Sequence, residues 1–302
     1  MNYILSKLLG YLRLMRPANI LTAITDIIAG AAIVGFFDHG LNDLQSILQL
    51  GCLVIATIGL YGGGVVFNDV FDAKLDKVER PERPIPSGVI SITEASVLGG
   101  YLLVVGILAA FTVSNFSGCI AVLTAVSALV YDKWAKHHSV LGPLLMGVCR
   151  GLNLSLGMSV YLVSLQGDFL WWIAVVPVVY IAAVTMISRD EVHGGTKTPL
   201  MRAAVTYALV IGVIGFFSYM TGQWLTVPLF LAFFAWLIYK PLLKAMKEPT
   251  GPNIGKSVKW GVLGLIAMNA AWTAAFADAP YGLAVLAFLP LSIFLGKLFA
   301  VT

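Results

Sequence analysis

Ten stretches of this chain are too long and too apolar to sit comfortably in water. With soft edges they run over residues 18–37, 47–67, 93–113, 116–131, 140–163, 170–187, 201–221, 224–243, 257–277 and 281–300. About 20 apolar residues in a row, coiled as a helix, match the hydrocarbon thickness of a bilayer. A core sealed by its own surface cannot absorb so much: 59% of the 302 residues are hydrophobic, 11% are charged, and mean hydropathy is +0.90. Soluble domains carry roughly 25% charged residues. No alternation with a period of two appears, so the expected fold is all-α, a polytopic membrane helical bundle and not a barrel.

The segments between the runs carry the next constraint. Lysine and arginine mark the cytoplasmic side of a membrane protein. Ten crossings put 18 of the 19 basic residues on one side, and Asp38, Asp43, Asp168 and Asp278 on the other. The exception, Arg150, lies inside a run. Both termini are then expected in the cytoplasm. The net charge of +4 reads as a topology signal and not as a footprint for nucleic acid. Residues 1–17 carry three basic residues, but the run after them is too long for a signal peptide and has no small-x-small cleavage site. Cys52, Cys119 and Cys149 all fall in apolar runs and make neither a disulfide framework nor a metal spacing. The expected organisation is one membrane domain over residues 1–302.

Two polar segments on the basic side stand out. "NDVFDAKLDKVERPERPIPSG" spans Asn68 to Gly88, and "SRDEVHGGTKT" begins at Ser188. They lie about 120 residues and four runs apart, a weak repeat of the kind that builds a central site between two halves. Asp69, Asp72 and Asp76 are spaced i, i+3, i+7, which places them on one face of a helix, with Asn68 beside them. Three stacked carboxylates repel and need a cation. Oxygen-only ligands suit a hard ion, and Mg²⁺ is commonly shared between carboxylates and a substrate's phosphates. Arg80 and Arg83 follow at once, and guanidinium fits phosphate. On spacing alone, a solvated helix end with mixed charge accounts for the segment equally well.

N-D-x-x-D-x-x-x-D followed by R-P-x-R-P-I-P-S-G resembles the first motif of the UbiA superfamily of intramembrane prenyltransferases. "RLMRPANILTAI", with Arg13, Arg16, Pro17 and Asn19, is similar to that family's entry into its first helix. "YDKWAKHHSVLGPLLMG", with Tyr131 and Lys136, is similar to its Tyr-x-x-x-x-Lys stretch. The resemblance implies nine core transmembrane helices around a cavity, with a tenth added at the C-terminus here. It implies Mg²⁺ as cofactor, an isoprenyl diphosphate as donor, geranylgeranyl being one candidate, and an acceptor for the prenyl group. Asp69, Asp72 and Asp76 would hold the metal, and Arg80, Arg83 and Lys136 would offset charge on the leaving diphosphate. Phe67, Phe71, Tyr131 and Tyr180 are candidates to shield an allylic cation.

The second segment departs from the family pattern of D-x-x-D-x-x-x-D. Ser188 and Gly195 stand where aspartates are usual, Glu191 takes the middle position, Asp190 is an extra carboxylate, and His193 replaces a glutamate. Glu191 or Asp190 would complete a second metal site or take a proton. His193 is either a base or a loop histidine bonded to backbone, and Lys197 either touches phosphate or merely marks the cytoplasmic side. "SRDEVHGG" and "CRGLNLSLG" resemble the EboC branch of the superfamily most. That branch belongs to a bacterial operon tied to secondary metabolites, with neighbours resembling sugar-phosphate cyclases. The expected acceptor is therefore polar, of a cyclitol or sugar-phosphate kind, and the expected location is the bacterial inner membrane.

An arginine inside a membrane normally faces a cavity or a counter-charge. Arg150 and Asn153, three residues apart on one helical face, are expected to grip that acceptor; the competing expectation is a clamp between Arg150 and Asp26. The alternative function is a UbiA-like membrane protein with reduced chemistry, acting in export. A scaffold without a ligand has no use for the intact first motif. Reporter fusions after residues 40, 165 and 223 are expected to score as external; a cytoplasmic readout at any of them breaks the ten-crossing topology.

Overall fold

The computed structural model of the chain describes residues 3–161, 169–191 and 194–299. Its helices are α1 (Tyr3–Met15), α2 (Pro17–Ile33), α3 (Phe36–His39), α4 (Leu44–Phe71), α5 (Ala73–Glu79), α6 (Ile92–Val113), α7 (Asn115–Lys133), α8 (Leu141–Met158), α9 (Val175–Ser188), α10 (Lys197–Met220), α11 (Val227–Lys247), α12 (Gly251–Ala277), α13 (Ala279–Leu286) and α14 (Phe288–Leu298). Short 3-10 turns join several of them. There is no strand among the described residues.

Every expected crossing lies on helix. Among the described residues, eight helices are long and apolar enough to span a bilayer by length and composition. α2 has only 17 residues, and α8, with Arg150 and Asn153 in it, is not among the eight. The first run, expected to reach residue 37, stops as helix at Ile33, because Gly35 takes φ +76° and turns the chain. The fifth stops at Met158, and the remainder of its expected reach includes residues outside those described. The last crossing is two helices broken at Ala287. Pro290 there has no N–H for the Leu286 carbonyl.

Local signals set the ends. The Asp43 side chain accepts from the backbone N–H of Gln45 and Ser46 and starts α4. Those bonds and the Ser46 hydroxyl, the largest influence, hold its carboxyl below the usual range. Ser91 and Glu94 form a capping box at α6, and Ser114 caps α7.

Burial does not follow hydropathy. The spanning stretch of α6, among the most apolar of the eight, is 22% buried, whereas that of α12, among the least apolar, is 83% buried. With lipid as solvent, apolar side chains gain little by moving inward, and helices associate through close packing of small residues. α12 presents Gly261, Gly264, Ala267, Ala270, Ala271 and Ala274 to its neighbours, all buried. It packs against α2, α11 and α13; α2 in turn packs on α4, α8, α12 and α14. The α2–α8 contact is backbone on backbone. A Cβ at Gly30 would stand 2.4 Å from the Leu154 carbonyl oxygen, and one at Gly157 would stand 2.4 Å from that of Ile27. Gly30→Val and Gly157→Val are each expected to lower stability in detergent by about 3 kcal/mol. Gly212→Val, where nothing lies within 4 Å, serves as control. Equal unfolding midpoints for all three would overturn the close-contact account.

Candidate functional site

α4 runs past its expected end and carries Asn68 and Asp69 on its last turn. The helix then breaks at Asp72, and α5 resumes with Asp76 in its first turn. The three aspartates therefore do not share one unbroken helical face, as their spacing had suggested. Asp69 and Asp76 converge, and Asp72 turns away. Arg83 Nη1 donates to Asp76 Oδ2 at 2.7 Å and to Asp69 Oδ1 at 3.3 Å. Arg16 Nη2 donates to Asp69 Oδ1 at 2.6 Å. Lys136 pairs with Asp72.

Backbone conformation delivers each cation. The segment after α5 curls on itself, with Ser87 N–H on the Arg83 carbonyl, Ile90 N–H on that of Pro84, and Gly88 at φ +76°. This fold-back carries Arg83 under the aspartates. Arg16 sits between α1 and α2 in the left-handed region, φ 51° and ψ 65°, directly before Pro17. A non-glycine residue there costs on the order of 1–3 kcal/mol. Its ion pair with the buried Asp69 helps hold it in place. Arg83 is buried too, and its Nε has no partner.

Beside this cluster lies a cavity of about 260 Å³. Arg16, Asn68, Tyr131 and Asp132 line it, and so do Tyr61, Arg150 and Asn153, among apolar walls that include Leu60 and Met146. Asn68 Nδ2 donates to Asp132 Oδ1 at 2.8 Å. Asp132 is 4% exposed, and no lysine or arginine among the described residues reaches within 4.0 Å of it. Of the four aromatic candidates only Tyr131 lines the cavity. Phe67 and Phe71 stack on each other, and Tyr180 is fully buried, its hydroxyl donating to the Gly261 carbonyl.

On α8, Arg150 forms the clamp with Asp26 that was the competing expectation. It lines the cavity, and its Nη1 donates to Asp26 Oδ2 at 2.8 Å while its Nη2 donates to Thr22 Oγ1 at 2.6 Å. The guanidinium lies 5.0 Å from the centre of the Tyr61 ring. Asp26, with no exposed surface, also accepts from Asn153 Nδ2 at 2.9 Å and from Asn269 Nδ2 at 2.7 Å. Thr57 donates to Asn153 Oδ1. Four helices, α2, α4, α8 and α12, meet in this network. Asn19 lies half-buried on the first turn of α2, its carbonyl accepting from Thr22.

The second segment stands apart. Ser188 Oγ donates to the Thr185 carbonyl, and Lys197 is exposed at the start of α10. The Gly195 N–H reaches the Pro249 carbonyl, docking this loop on the α11–α12 connection. A Cβ at Gly195 would come 2.2 Å from Asp190 Oδ2, so Asp190 fills the room that a side chain there would need. Glu191 is exposed on one side and packed toward Gly255 on the other. Partial burial raises its carboxyl pKa, and Arg80 of the first segment pulls it back. Ser188, Asp190, Glu191 and Lys197 do not line the cavity. His193 lies outside the described residues. Among the described residues no three His, Cys, Asp or Glu side chains come together closely enough to hold a metal ion.

Sequence reasoning missed Asp132, Tyr61, Thr22 and Asn269. A lone asparagine in the apolar run of α12 is the same kind of signal as Arg150, and Asp132 is a carboxylate at the very end of an apolar run.

The model of the UbiA prenyltransferase family matches residues 28–199. Digeranylgeranylglyceryl phosphate synthase of Ignicoccus hospitalis is 32% identical over 188 residues, 62% of this chain and 59% of that protein. The enzyme of the same name from Saccharolobus solfataricus is 33% identical over 190 residues, 62% of this chain and 63% of its own length. The matched stretch thus spans about three fifths of these relatives. A solved structure of a digeranylgeranylglyceryl phosphate synthase superposes with a TM-score of 0.63 at 21% identity, covering 90% of this chain and 99% of that one. A UbiA homolog from Archaeoglobus fulgidus, bound to DMAPP and Mg²⁺, gives 0.62 at 16% identity, covering 92% and 99%.

The Asp26 network makes its own prediction. Removing one partner of a buried pair leaves the other charge stranded, at a cost of about 3–5 kcal/mol. Asp26→Leu is expected to lose about that much in detergent unfolding, and Asp26→Leu with Arg150→Met to regain most of it. Additive losses would show that the pair is not coupled.

Proposed function

The chain belongs to the UbiA prenyltransferase family, and we propose that it transfers a prenyl group from an isoprenyl diphosphate to a hydroxyl of a polar acceptor. The observation that carries this reading is one cavity that touches two polar features. Arg16, the ion-pair partner of Asp69, lines it beside the acidic cluster, and Arg150 and Asn153, which hold Asp26, line it as well. Ten residues of α2 separate Arg16 from Asp26, about 15 Å of helix. That length suits a diphosphate at one end and a second polar group at the other.

Asp69 and Asp76 fit a hard divalent ion, and among the described residues no third carboxylate stands close enough to complete the set. Their donors are all oxygen, one positive centre, Arg83 Nη1, already bridges Asp69 and Asp76, and the buried Arg83 Nε lacks an acceptor that a phosphate oxygen would supply. Asp69 and Asp76, with Asp72 and with Glu191 from the second segment drawn in, would hold Mg²⁺, which when bound supplies charge neutralisation for the departing diphosphate. Arg16, Arg83 and Lys136, displaced from their carboxylates, bind the diphosphate oxygens, and Arg80 adds positive charge from the loop. The C–O bond to the prenyl group breaks, and its electron pair leaves with the diphosphate. Tyr131 and Tyr61 face the allylic cation. The acceptor oxygen forms the new C–O bond, and its proton passes to Asp132, the buried cavity carboxylate without a cationic partner.

Arg150 and Asn153 grip the acceptor's polar end. The names of the relatives support a geranylgeranyl donor and a glyceryl phosphate acceptor. The narrower likeness to the EboC branch, carried by "SRDEVHGG" and "CRGLNLSLG", supports a cyclitol or sugar phosphate instead. Both are phosphate-bearing polyols, which the donors of Arg150 and Asn153 suit. We place the protein as an integral membrane protein with both motif loops on the cytoplasmic side. A second reading, export by a UbiA fold with reduced chemistry, is favoured by one observation: neither the aspartates of the first motif nor Asp190 and Glu191 of the second line the cavity.

Purified protein with labelled geranylgeranyl diphosphate, Mg²⁺ and a panel of glyceryl, cyclitol and sugar phosphates separates the readings. Mg²⁺-dependent label in a new lipid is expected. Asp72→Ala is expected to abolish it together with diphosphate binding, and Asp132→Asn to lower kcat by about 100-fold with donor binding retained. Diphosphate binding without product on any acceptor would favour export, and unchanged binding by folded Asp72→Ala would remove the metal–diphosphate site.

A further inference from the structure

A second groove, on the outside of the bundle, has the chemistry of a lipid headgroup site. α11 and α12 pack side by side, and a space of about 220 Å³ opens between them. Trp236, Lys240 and Lys244 line one wall and Asn253, Lys256 and Trp260 the other. The first three follow i, i+4, i+8 along α11, and the second three follow i, i+3, i+7 along α12. Each set is thus one stripe on its helix, and the two stripes face each other. Leu237 and Pro241 complete the lining, and Pro241, inside α11, has no N–H to give the Leu237 carbonyl.

The charge is one-sided. Among the described residues no carboxylate lies within 4.0 Å of Lys240, Lys244 or Lys256. The nearest acid in the connecting loop, Glu248, is exposed. Lys240 Nζ rests 5.1 Å from the Trp236 ring centre. Tryptophan concentrates at the headgroup level of a bilayer, and basic pockets between spanning helices hold anionic headgroups. The groove also opens beside an apolar outer face, where Leu229 and Leu243 are exposed. Soluble phosphate has no use for such a face; acyl chains do.

We propose that this groove binds the phosphate of an anionic glycerophospholipid between Lys240, Lys244 and Lys256, with Trp236 and Trp260 flanking the glycerol. The site is separate from the cavity of the prenyl-transfer reading and stands whether or not that reading holds.

The full chain in nanodiscs of phosphatidylcholine, doped with brominated phosphatidylglycerol or brominated phosphatidylcholine, tests this by tryptophan quenching. Brominated phosphatidylglycerol is expected to quench more at equal mole fraction, and Trp236→Phe with Trp260→Phe to remove the excess. Each lysine near an anionic partner is worth about fivefold. Lys240→Gln with Lys244→Gln and Lys256→Gln is therefore expected to weaken the preference by at least about tenfold. Lys247→Gln with Lys259→Gln, at the same membrane edge but outside the groove, is expected to leave it unchanged. Equal quenching by the two lipids, equal loss in both sets of variants, or displacement by excess inorganic phosphate would each overturn the proposal. The comparison of the two lipids on the unaltered chain decides the matter even if a multiple variant fails to fold.

Discussion

Asp26 and Arg150 are opposite charges that the fold has carried into a bundle built from apolar helices, and their pairing fixes where four of those helices stand. Removing a charge from water is costly unless a partner and further hydrogen bonds replace the lost solvation. Asp26 receives three donors, from Arg150, Asn153 and Asn269, and so draws on α8 and α12 together. The backbone contact of Gly30 and Gly157 is what permits α2 and α8 to approach closely enough for this exchange. Packing and polarity thus depend on each other: without the small residues the donors do not reach, and without the donors the carboxylate has no place in the interior. The cavity beside the network inherits its shape from this arrangement.

The acidic motif near the membrane edge obeys the same rule by a looser means. Its carboxylates are held by cations from three separate parts of the chain: the α1–α2 joint, the turn after α5 and the segment after α7. None of these cations is locked by a second carboxylate outside the motif. Asp69 is shared between Arg16 and Arg83, and Arg83 between Asp69 and Asp76. A network of shared partners redistributes when a new anion or cation enters, because the incoming charge replaces one already there. Asp26 itself is fully enclosed and has no such freedom; only Arg150 and Asn153 of its hub reach the cavity. The Asp26 cluster is suited to hold the bundle with one edge open to a ligand, and the acidic motif to exchange ions.

The bundle itself was legible in the sequence because lipid demands long apolar runs, and each run came out as helix. Polar details were legible where a single residue broke an apolar run, as Arg150 did. They failed where the backbone did something that spacing does not encode. The i, i+3, i+7 pattern assumes a continuous helix, but α4 ends at Phe71 and Asp72 turns toward Lys136. Asp132 was not legible because its link to Asn68 crosses 64 positions of chain. Tyr180, proposed to shield a cation, instead packs against Tyr207 and Phe234 in the other half of the bundle. Aromatic residues are too common in apolar runs for composition to tell a cavity wall from a helix seam.

The lack of correspondence between hydropathy and burial has a consequence for how this chain tolerates change. In a water-soluble fold the interior is both the most apolar and the least replaceable part. Here those two properties separate. The outward faces of α6 and α14 need only remain apolar, so leucine, valine, isoleucine and phenylalanine are nearly interchangeable there, while a single charge is not. α12 is constrained by volume instead: a methyl group at Gly264 would fall 2.7 Å from the Tyr180 hydroxyl, whatever its polarity. Substitution tables tuned to soluble proteins would therefore misjudge this chain in both directions, penalising harmless swaps at the lipid face and passing conservative enlargements that its centre cannot hold.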